Sequence, residues 1–299
     1  MKCVEDIKSS STCALASVRH LHFLCKSYSK TSYYKGADKA TLGELNKQHE
    51  IVKLLTKSLT KCHGLAVKQS AGSGGLAATS VFDSGRFTHA ESLELHLELL
   101  KFMLKEGELY LSWNRCEELW NTLVSNPDAI EVDRDKIFEW FQACIRDLEE
   151  TTQHRLFTER YLKLDPECVT ENTFESFKTY FESVNVQCES MKKPLNTVER
   201  PEALVGVDYV WRLATESPSE RITDLAADYL LSVSFINVST RLKGDSARLH
   251  QNFFAKCYSR LEQILSASAA SSGAEHALNE GFEVETSVAG SDGDSSANR

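Results

Sequence analysis

The sequence lacks the features that mark exported, membrane-spanning and cysteine-stapled proteins. Its nine cysteines are an odd number and include no CxxC or CxxxC pair, so reduced thiols in a cytosolic protein are the simplest interpretation. The longest apolar run falls far short of the roughly 20 residues that a membrane helix needs. Residues 1–18 lack the basic start and apolar core of a secretory leader. We predict a cytoplasmic location, with the nucleus as an alternative, and no membrane partner.

Basic residues are also in the minority. Lys and Arg number 34 against 43 Asp and Glu, which gives a net charge of −9. The phosphate backbone of a nucleic acid is repelled by a protein of this net charge, unless Lys and Arg residues cluster into a basic patch. The sequence has no such patch. Nucleic acid is therefore not expected as a partner. With 41% hydrophobic and 26% charged residues, the composition is ordinary for a soluble globular protein.

Alternating patterns typical of strands are missing, whereas helical periodicity is frequent. It is clearest in Leu204–Phe235, which we interpret as two antiparallel helices joined by a capped turn. In the second helix one continuous face is apolar, at Ile222, Leu225, Ala226, Tyr229, Leu230 and Val233. Ser217, Pro218 and Glu220 have the spacing of a helix start, with Ser217 as N-cap and Glu220 completing a capping box.

Comparable patterns predict about nine or ten helices in all. The other predicted helices cover 13–24, 38–62, 88–105, 112–124, 133–148, 154–164, 170–184 and 245–265. Thr170 is the expected cap of the seventh of these. Helix pairs recur at roughly 35 to 45 residues, the spacing of armadillo and HEAT repeats. Because each pair can bury its apolar faces only by stacking on neighbours, we predict an all-α, armadillo/HEAT-like α-solenoid rather than a closed bundle.

The predicted organisation has four parts. N-terminal helices occupy 1–63, and the Gly/Ser-rich residues 64–87 form a flexible insertion. The armadillo-like region spans 88–265. The small and acidic residues 266–299 are expected to be a disordered tail, because they have little apolar surface to bury.

Residue types suited to chemistry are present, but not at the spacings that chemistry demands. Cys62 and His63 are adjacent, and adjacent helical residues point in different directions, so an ordinary helix end is favoured over a nucleophile and its base. His20, His22 and Cys25 offer three ligands where a structural zinc site wants four. We interpret them as surface or half-buried residues of a first helix.

The remaining candidates also have simpler interpretations. Acidic clusters at 117–118, 131–135 and 147–150 could pair a general acid with a base, yet solvated helix faces and helix starts explain them as well. The AGSGG stretch at 71–75 lacks the Lys-Ser or Lys-Thr of a phosphate loop. The four tryptophans fall on apolar faces and are expected in the core: Trp113, Trp120, Trp140 and Trp211. We therefore assign no catalytic, cofactor-binding or metal-binding residue, and expect no cofactor.

Three segments resemble a known family. They are WNRCEELWNTLVSNPDAIEVDRDKIFEWFQACIRDLEETTQ, LFTERYLKLDPECVTENTFESFKTYFESVN and LVGVDYVWRLATESPSERITDLAADYLL. They are similar to the non-catalytic, armadillo-like region of the very large ubiquitin-specific proteases of the fat-facets type. The similarity covers about residues 112–265, and the GVDYVW turn with the capped helix after it is the most specific part.

The resemblance implies a place in the ubiquitin pathway without protease chemistry in this chain. Members of that family hydrolyse ubiquitin–substrate bonds with a thiol protease domain that has a Cys box and a His box, and neither box is present here. The chain is thus expected to be an inactive scaffold segment of a large deubiquitinase, which positions substrates, adaptors or the catalytic domain. The alternative is a stand-alone α-solenoid adaptor for protein partners, unrelated to ubiquitin. An enzyme of unknown type that uses Cys62 and His63 is a third hypothesis.

Overall fold

The chain is described by a computed structural model, which covers residues 2–31, 37–72, 74–82 and 86–280. It divides into two units, residues 1–238 and 239–299. The described part of the first unit contains eleven α-helices: α1 Lys2–Ser9, α2 Ala14–Thr31, α3 Ala37–His49, α4 Ile51–Ser70, α5 His89–Gly107, α6 Trp113–Leu123, α7 Glu131–Ala143, α8 Glu150–Glu159, α9 Glu171–Gln187, α10 Val207–Glu216 and α11 Glu220–Leu231. The second unit contains α12 Thr240–Lys243 and α13 Ser246–Glu280.

Strands are confined to two short antiparallel hairpins in the described residues. Strand β1, Val81–Phe82, pairs with β2, Phe87–Thr88. Strand β3, Met191–Lys192, pairs with β4, Thr197–Val198, between the helix predicted over 170–184 and the predicted helix pair Leu204–Phe235. The prediction of an all-α architecture is therefore confirmed, although the described residues contain thirteen helices rather than nine or ten.

Helices of the first unit pack on several neighbours, as stacked repeats require. Helix α4 packs on α5, α5 also packs on α7, and α7 packs on α9. Helices α10 and α11 form the antiparallel pair predicted over Leu204–Phe235, and a π-helical turn, Ser232–Ile236, extends α11. No described helix is long and apolar enough to cross a bilayer.

Aromatic side chains form the centre of this unit, between α6, α7 and α9. Trp120 meets Phe138 edge to face at 5.5 Å between ring centroids, and Tyr161 stacks on Tyr180 at 5.0 Å. All four side chains are buried. Trp140 and Trp211 are buried too, as predicted, whereas Trp113 is half-buried beneath the guanidinium of Arg155, 4.2 Å from the ring centroid. Aromatic pairs in such arrangements add to the free energy gained from burial alone.

The helix predicted over 38–62 is in fact two helices, and the second extends beyond the prediction. Glu50 separates α3 from α4 in a left-handed conformation, with φ at 50°, and Asn46 Oδ1 accepts a hydrogen bond from the Val52 N–H at 3.1 Å. Helix α4 then continues through Gly64 to Ser70, because Ala66 is buried against Leu15 of α2. The predicted insertion over 64–87 therefore begins inside a helix. Residues 73 and 83–85 lie outside the described part.

Two further boundaries differ from the sequence prediction. Helix α2 continues to Thr31, beyond the end predicted at Leu24, and residues 32–36 lie outside the described part. Helix α13 includes residues 266–280 of the predicted tail, since its alanines and glutamates are good helix formers. Residues 281–299 lie outside the described part.

The helix caps are only partly as predicted. Thr170 caps α9, because its hydroxyl accepts the Thr173 N–H at 3.2 Å. Ser217, however, is the C-cap of α10, and its hydroxyl accepts the Ser219 N–H in the turn. The capping box predicted at Ser217 and Glu220 is therefore wrong, because α10 ends only at Glu216 and leaves three residues for the whole turn. A capping box does occur at the start of α5, between Thr88 and Glu91.

We expect Phe141→Ala to lower the free energy of unfolding by about 3 to 5 kcal/mol, because the ring is fully buried and its loss leaves a cavity. Urea unfolding of the full chain, followed by circular dichroism, measures the change. Phe23→Ala is the matched control, since that ring is 58% exposed, and it should change stability by less than about 0.5 kcal/mol. Equal effects of the two substitutions would contradict the placement of Phe141 in the core.

Candidate functional site

Three polar side chains from three helices meet in the interior of the first unit. His63 lies on the inner face of α4, four residues after the buried Leu59. His89 is the first residue of α5, and Asp133 is the third residue of α7. The two histidines are at most 3% exposed and Asp133 is fully buried. These three residues are called the His–Asp–His cluster.

The carboxylate of Asp133 bridges the two imidazoles. His63 Nε2 lies 3.1 Å from Oδ2, and His89 Nε2 lies 2.5 Å from Oδ1. The Ile130 N–H also donates to Oδ2, at 3.1 Å, so the carboxylate helps to cap α7. In this arrangement each imidazole donates its Nε2–H to a different oxygen, and the rings stand nearly perpendicular with centroids 5.4 Å apart.

Hydrogen bonding keeps the buried carboxylate ionised. Burial alone would raise the pKa of Asp133, but hydrogen bonds from His63 and His89, the charge of His89 and the Ile130 N–H outweigh it and lower the pKa to about 2. Among the described residues the ion pairs of Asp133 are with these two histidines, and none is with Lys or Arg. The cluster therefore holds an ionised carboxylate in the protein interior.

The arrangement suits binding or structure rather than catalysis. A general base must reach a proton on a substrate, whereas all three side chains are enclosed by protein. Their ligand atoms lie within 4.8 Å of one another, and imidazole nitrogen and carboxylate oxygen are common ligands of transition metals. The cluster joins α4, α5 and α7 whether a proton or a metal ion lies between its atoms.

Of the residues that the sequence indicated, the structure brings together only His63 and Asp133. Cys62 is half-buried beside Leu15 and Ala66 instead. The other histidine candidates do not gather into a ligand set among the described residues. His20 Nδ1 bonds the carbonyl of its own helix at Ala16, and His22 packs on Phe102.

The other acidic residues serve mainly in ion pairs and caps. Glu117 pairs with Arg160 at 2.5 Å, Glu118 pairs with Arg115, and Asp135 accepts a hydrogen bond from Thr170. This agrees with the interpretation of the acidic clusters as helix faces and starts. Asp133 is one exception, because it is fully buried, and Asp147 is another, because among the described residues its Oδ2 is buried without a hydrogen-bond partner.

His89 is the cluster residue that the sequence analysis missed. Its position could have been found from Thr88 and Glu91, whose capping-box spacing predicts that α5 begins at His89. The contact of His89 with Asp133 could not have been found from the sequence, because the two residues are 44 positions apart. Helical periodicity carries no information about contacts between distant helices.

A third buried histidine, His96, links α5 to α4. His96 Nδ1–H donates to the Ser92 carbonyl at 2.7 Å, which leaves Nε2 to accept from the Ser58 hydroxyl at 2.9 Å. Burial lowers the pKa of His96 to about 4, since the charged form would lose its hydration.

We expect His96 to make the protein less stable as the pH falls. The unfolded chain takes up a proton below about pH 6.5 while the folded chain does so only near pH 4. The folded state is favoured most above pH 6.5, and this contribution falls by about 2 kcal/mol between pH 7 and pH 5. His96→Gln should flatten the decline in urea-unfolding free energy over that interval. His154→Gln, at an exposed position, should leave it unchanged; equal slopes in all three proteins would contradict the prediction.

Asp133→Asn should lower the free energy of unfolding by about 3 to 5 kcal/mol, because its amide NH₂ would face an imidazole N–H and leave buried donors unpaired. Urea unfolding of the full chain near neutral pH measures the change. Asp128→Asn, at an exposed position, is the control and should change it by less than about 0.5 kcal/mol. If the two variants were equally stable, the cluster would contribute nothing to the fold.

Comparison with known proteins shows which family the region around this cluster belongs to. A family model described as the UBP24/USP9X/USP9Y ARM repeat matches residues 1–185, which include all three cluster residues. It also covers residues 1–111, to which the sequence resemblance assigned nothing. The match places the stacked helices among armadillo repeats, as the predicted α-solenoid requires.

Curated relatives are much longer than this chain. Ubiquitin carboxyl-terminal hydrolase 24 of Homo sapiens is 45% identical over 253 residues, which are 84% of this chain and 10% of the relative. The probable ubiquitin carboxyl-terminal hydrolase FAF of Drosophila melanogaster is 31% identical over 274 residues, 87% of this chain and 10% of the relative. The chain thus spans about a tenth of the length of these relatives. It belongs to the UBP24/USP9X/USP9Y ARM repeat family and corresponds to an all-α armadillo-repeat region of large ubiquitin carboxyl-terminal hydrolases.

Proposed function

We propose that the chain is a non-catalytic scaffold segment of a deubiquitinase, whose helical surface positions ubiquitinated substrates, adaptors or a catalytic domain. One observation carries the non-catalytic part of the proposal. The His–Asp–His cluster is enclosed, and each of its carboxylate oxygens is already hydrogen-bonded. Its histidines therefore stabilise the fold instead of activating a nucleophile.

The environment of the buried cysteines supports the same conclusion. A thiol protease needs a thiolate, which an electropositive and partly exposed site favours. Burial raises the pKa of Cys25 and Cys116, and raises the pKa of Cys144 to about 12. These three thiols stay protonated at neutral pH.

Exposed apolar side chains on the first unit support protein partners. Leu195 is 78% exposed at the turn between β3 and β4, and Phe23, Leu24, Tyr110 and Ile236 are also exposed. Phe23 and Leu24 are neighbours on α2, and exposed apolar side chains can bind a partner where they form a contiguous patch. With the net charge of −9, they favour other proteins over nucleic acid.

We propose that the chain functions in the cytoplasm, with the nucleus as a second location.

The chain should not react with a ubiquitin vinyl-sulfone probe or release fluorophore from a ubiquitin-based substrate, because no activated cysteine is proposed in it. An active deubiquitinase at equal concentration is the positive control. A covalent adduct that maps to any of the nine cysteines would overturn the non-catalytic assignment.

The scaffold role is tested in a full-length relative. Deleting the matching region from human ubiquitin carboxyl-terminal hydrolase 24 should leave turnover of a small ubiquitin–fluorophore substrate unchanged. It should lower kcat/KM for a polyubiquitinated protein by roughly tenfold, about 1.4 kcal/mol of binding free energy. Inserting this chain in place of the deleted region should restore the rate. An equal loss on both substrates, or no loss on either, would contradict positioning.

A further inference from the structure

We propose that the His–Asp–His cluster is a binding site for a zinc ion, with His63 Nε2, His89 Nε2 and the carboxylate of Asp133 as ligands. This site is independent of the scaffold role, because it concerns how the first repeats are held together. It joins α4, α5 and α7, whose contributing residues lie 70 and 44 positions apart in the sequence.

The ligand atoms fit the ion in type and in number. Zinc takes imidazole nitrogen and carboxylate oxygen at about 2.0 to 2.2 Å and is usually four-coordinate in structural sites. The two oxygens of Asp133 face different histidines, so an ion held by both oxygens and both Nε2 atoms has four protein donors. No donor has to come from solvent, which suits an enclosed site.

The distances need little adjustment. Two ligand atoms at tetrahedral positions around zinc lie roughly 3.3 Å apart. This applies to the pairs that include a nitrogen, whereas the two oxygens of one carboxylate stay closer together and distort the tetrahedron. His63 Nε2 and Asp133 Oδ2 are already 3.1 Å apart, and His89 Nε2 is 2.5 Å from Oδ1. The His89 ring must therefore rotate away from Oδ1 to admit the ion, and all the ligand atoms already lie within 4.8 Å of one another. The Ile130 N–H bond to Oδ2 holds the carboxylate in place, as outer hydrogen bonds of metal ligands commonly do.

Charge also favours a cation at this point. A buried carboxylate is paired or binds a metal in most folded proteins, and among the described residues Asp133 has no Lys or Arg partner. The competing occupants of the site are the two Nε2 protons that hydrogen-bond to Asp133. Zinc and the Nε2 protons occupy the same lone pairs, so the two states exclude each other and can be separated by measuring bound metal.

The test uses the full 299-residue chain, unfolded in urea with EDTA, desalted and refolded with or without zinc chloride. We expect about one equivalent of zinc per chain after gel filtration, measured by mass spectrometry of the metal. We also expect a thermal midpoint roughly 5 °C above that of the metal-free protein, because an ion that binds only the folded state stabilises it. Less than about 0.1 equivalent of zinc, with an unchanged midpoint, would overturn the proposal.

Variants assign the metal to the cluster. His63→Gln and His89→Gln should each lose the bound equivalent, and circular dichroism shows whether they remain helical. His154→Gln, at an exposed position, should retain it. Zinc that survives both cluster substitutions would overturn the assignment.

Cobalt substitution in the unaltered chain covers the case in which the variants do not fold. A site of nitrogen and oxygen ligands gives weak visible absorption only, as the proposal requires. A strong thiolate-to-cobalt charge-transfer band would assign the metal to the cysteines and overturn the proposal.

Discussion

The fold depends on apolar helix faces that no single pair of helices can cover. Helix α7 shows the constraint most clearly, because it packs on α5 on one side and on α9 on the other. Phe138 and Phe141 of α7 are both fully buried. Both meet Trp120 of α6, and Phe138 also meets Tyr161, in the turn after α8. An isolated α6–α7 pair would leave much of this surface in water, at a cost of roughly 25 cal/mol for each Å² of apolar area. Stability is therefore shared between consecutive repeats, which is the general property of solenoids.

The sequence predicted the parts of this fold that depend on local rules. Helix α6 and the pair α10–α11 follow from periodicity, and the α9 cap follows from Thr170. The break at Glu50 does not, because apolar residues continue on both sides of a single left-handed residue. The extension of α4 was missed for the opposite reason. Its Gly- and Ser-containing end suggests a linker by composition, yet Ala66 is small enough to pack closely on Leu15 of another helix.

The candidate site shows the same limit at the level of side chains. His63 and Asp133 were both noticed in the sequence, but in separate contexts, beside a cysteine and within an acidic run. Neither context predicts that they meet, since they are 70 positions apart in the sequence. The contact depends on helix stacking, which brings His63 of α4 next to Asp133 at the start of α7. An inward-facing carboxylate in an otherwise solvated acidic cluster cannot be recognised from charge pattern alone.

Polar contacts of this kind can fix how far one helix is shifted along its neighbour, which apolar contacts alone do not determine. Leucine and phenylalanine faces tolerate sliding and repacking while they stay buried. A carboxylate that needs three donors does not, because a shift of one helical turn would leave Asp133 buried and unpaired. The His96–Ser58 hydrogen bond is a second polar contact that must be kept between α4 and α5. His96 lies about 10 Å beyond His89 along α5, at a rise of 1.5 Å per residue. Together the two contacts select one alignment of α4, α5 and α7, and so fix the surface that these helices expose.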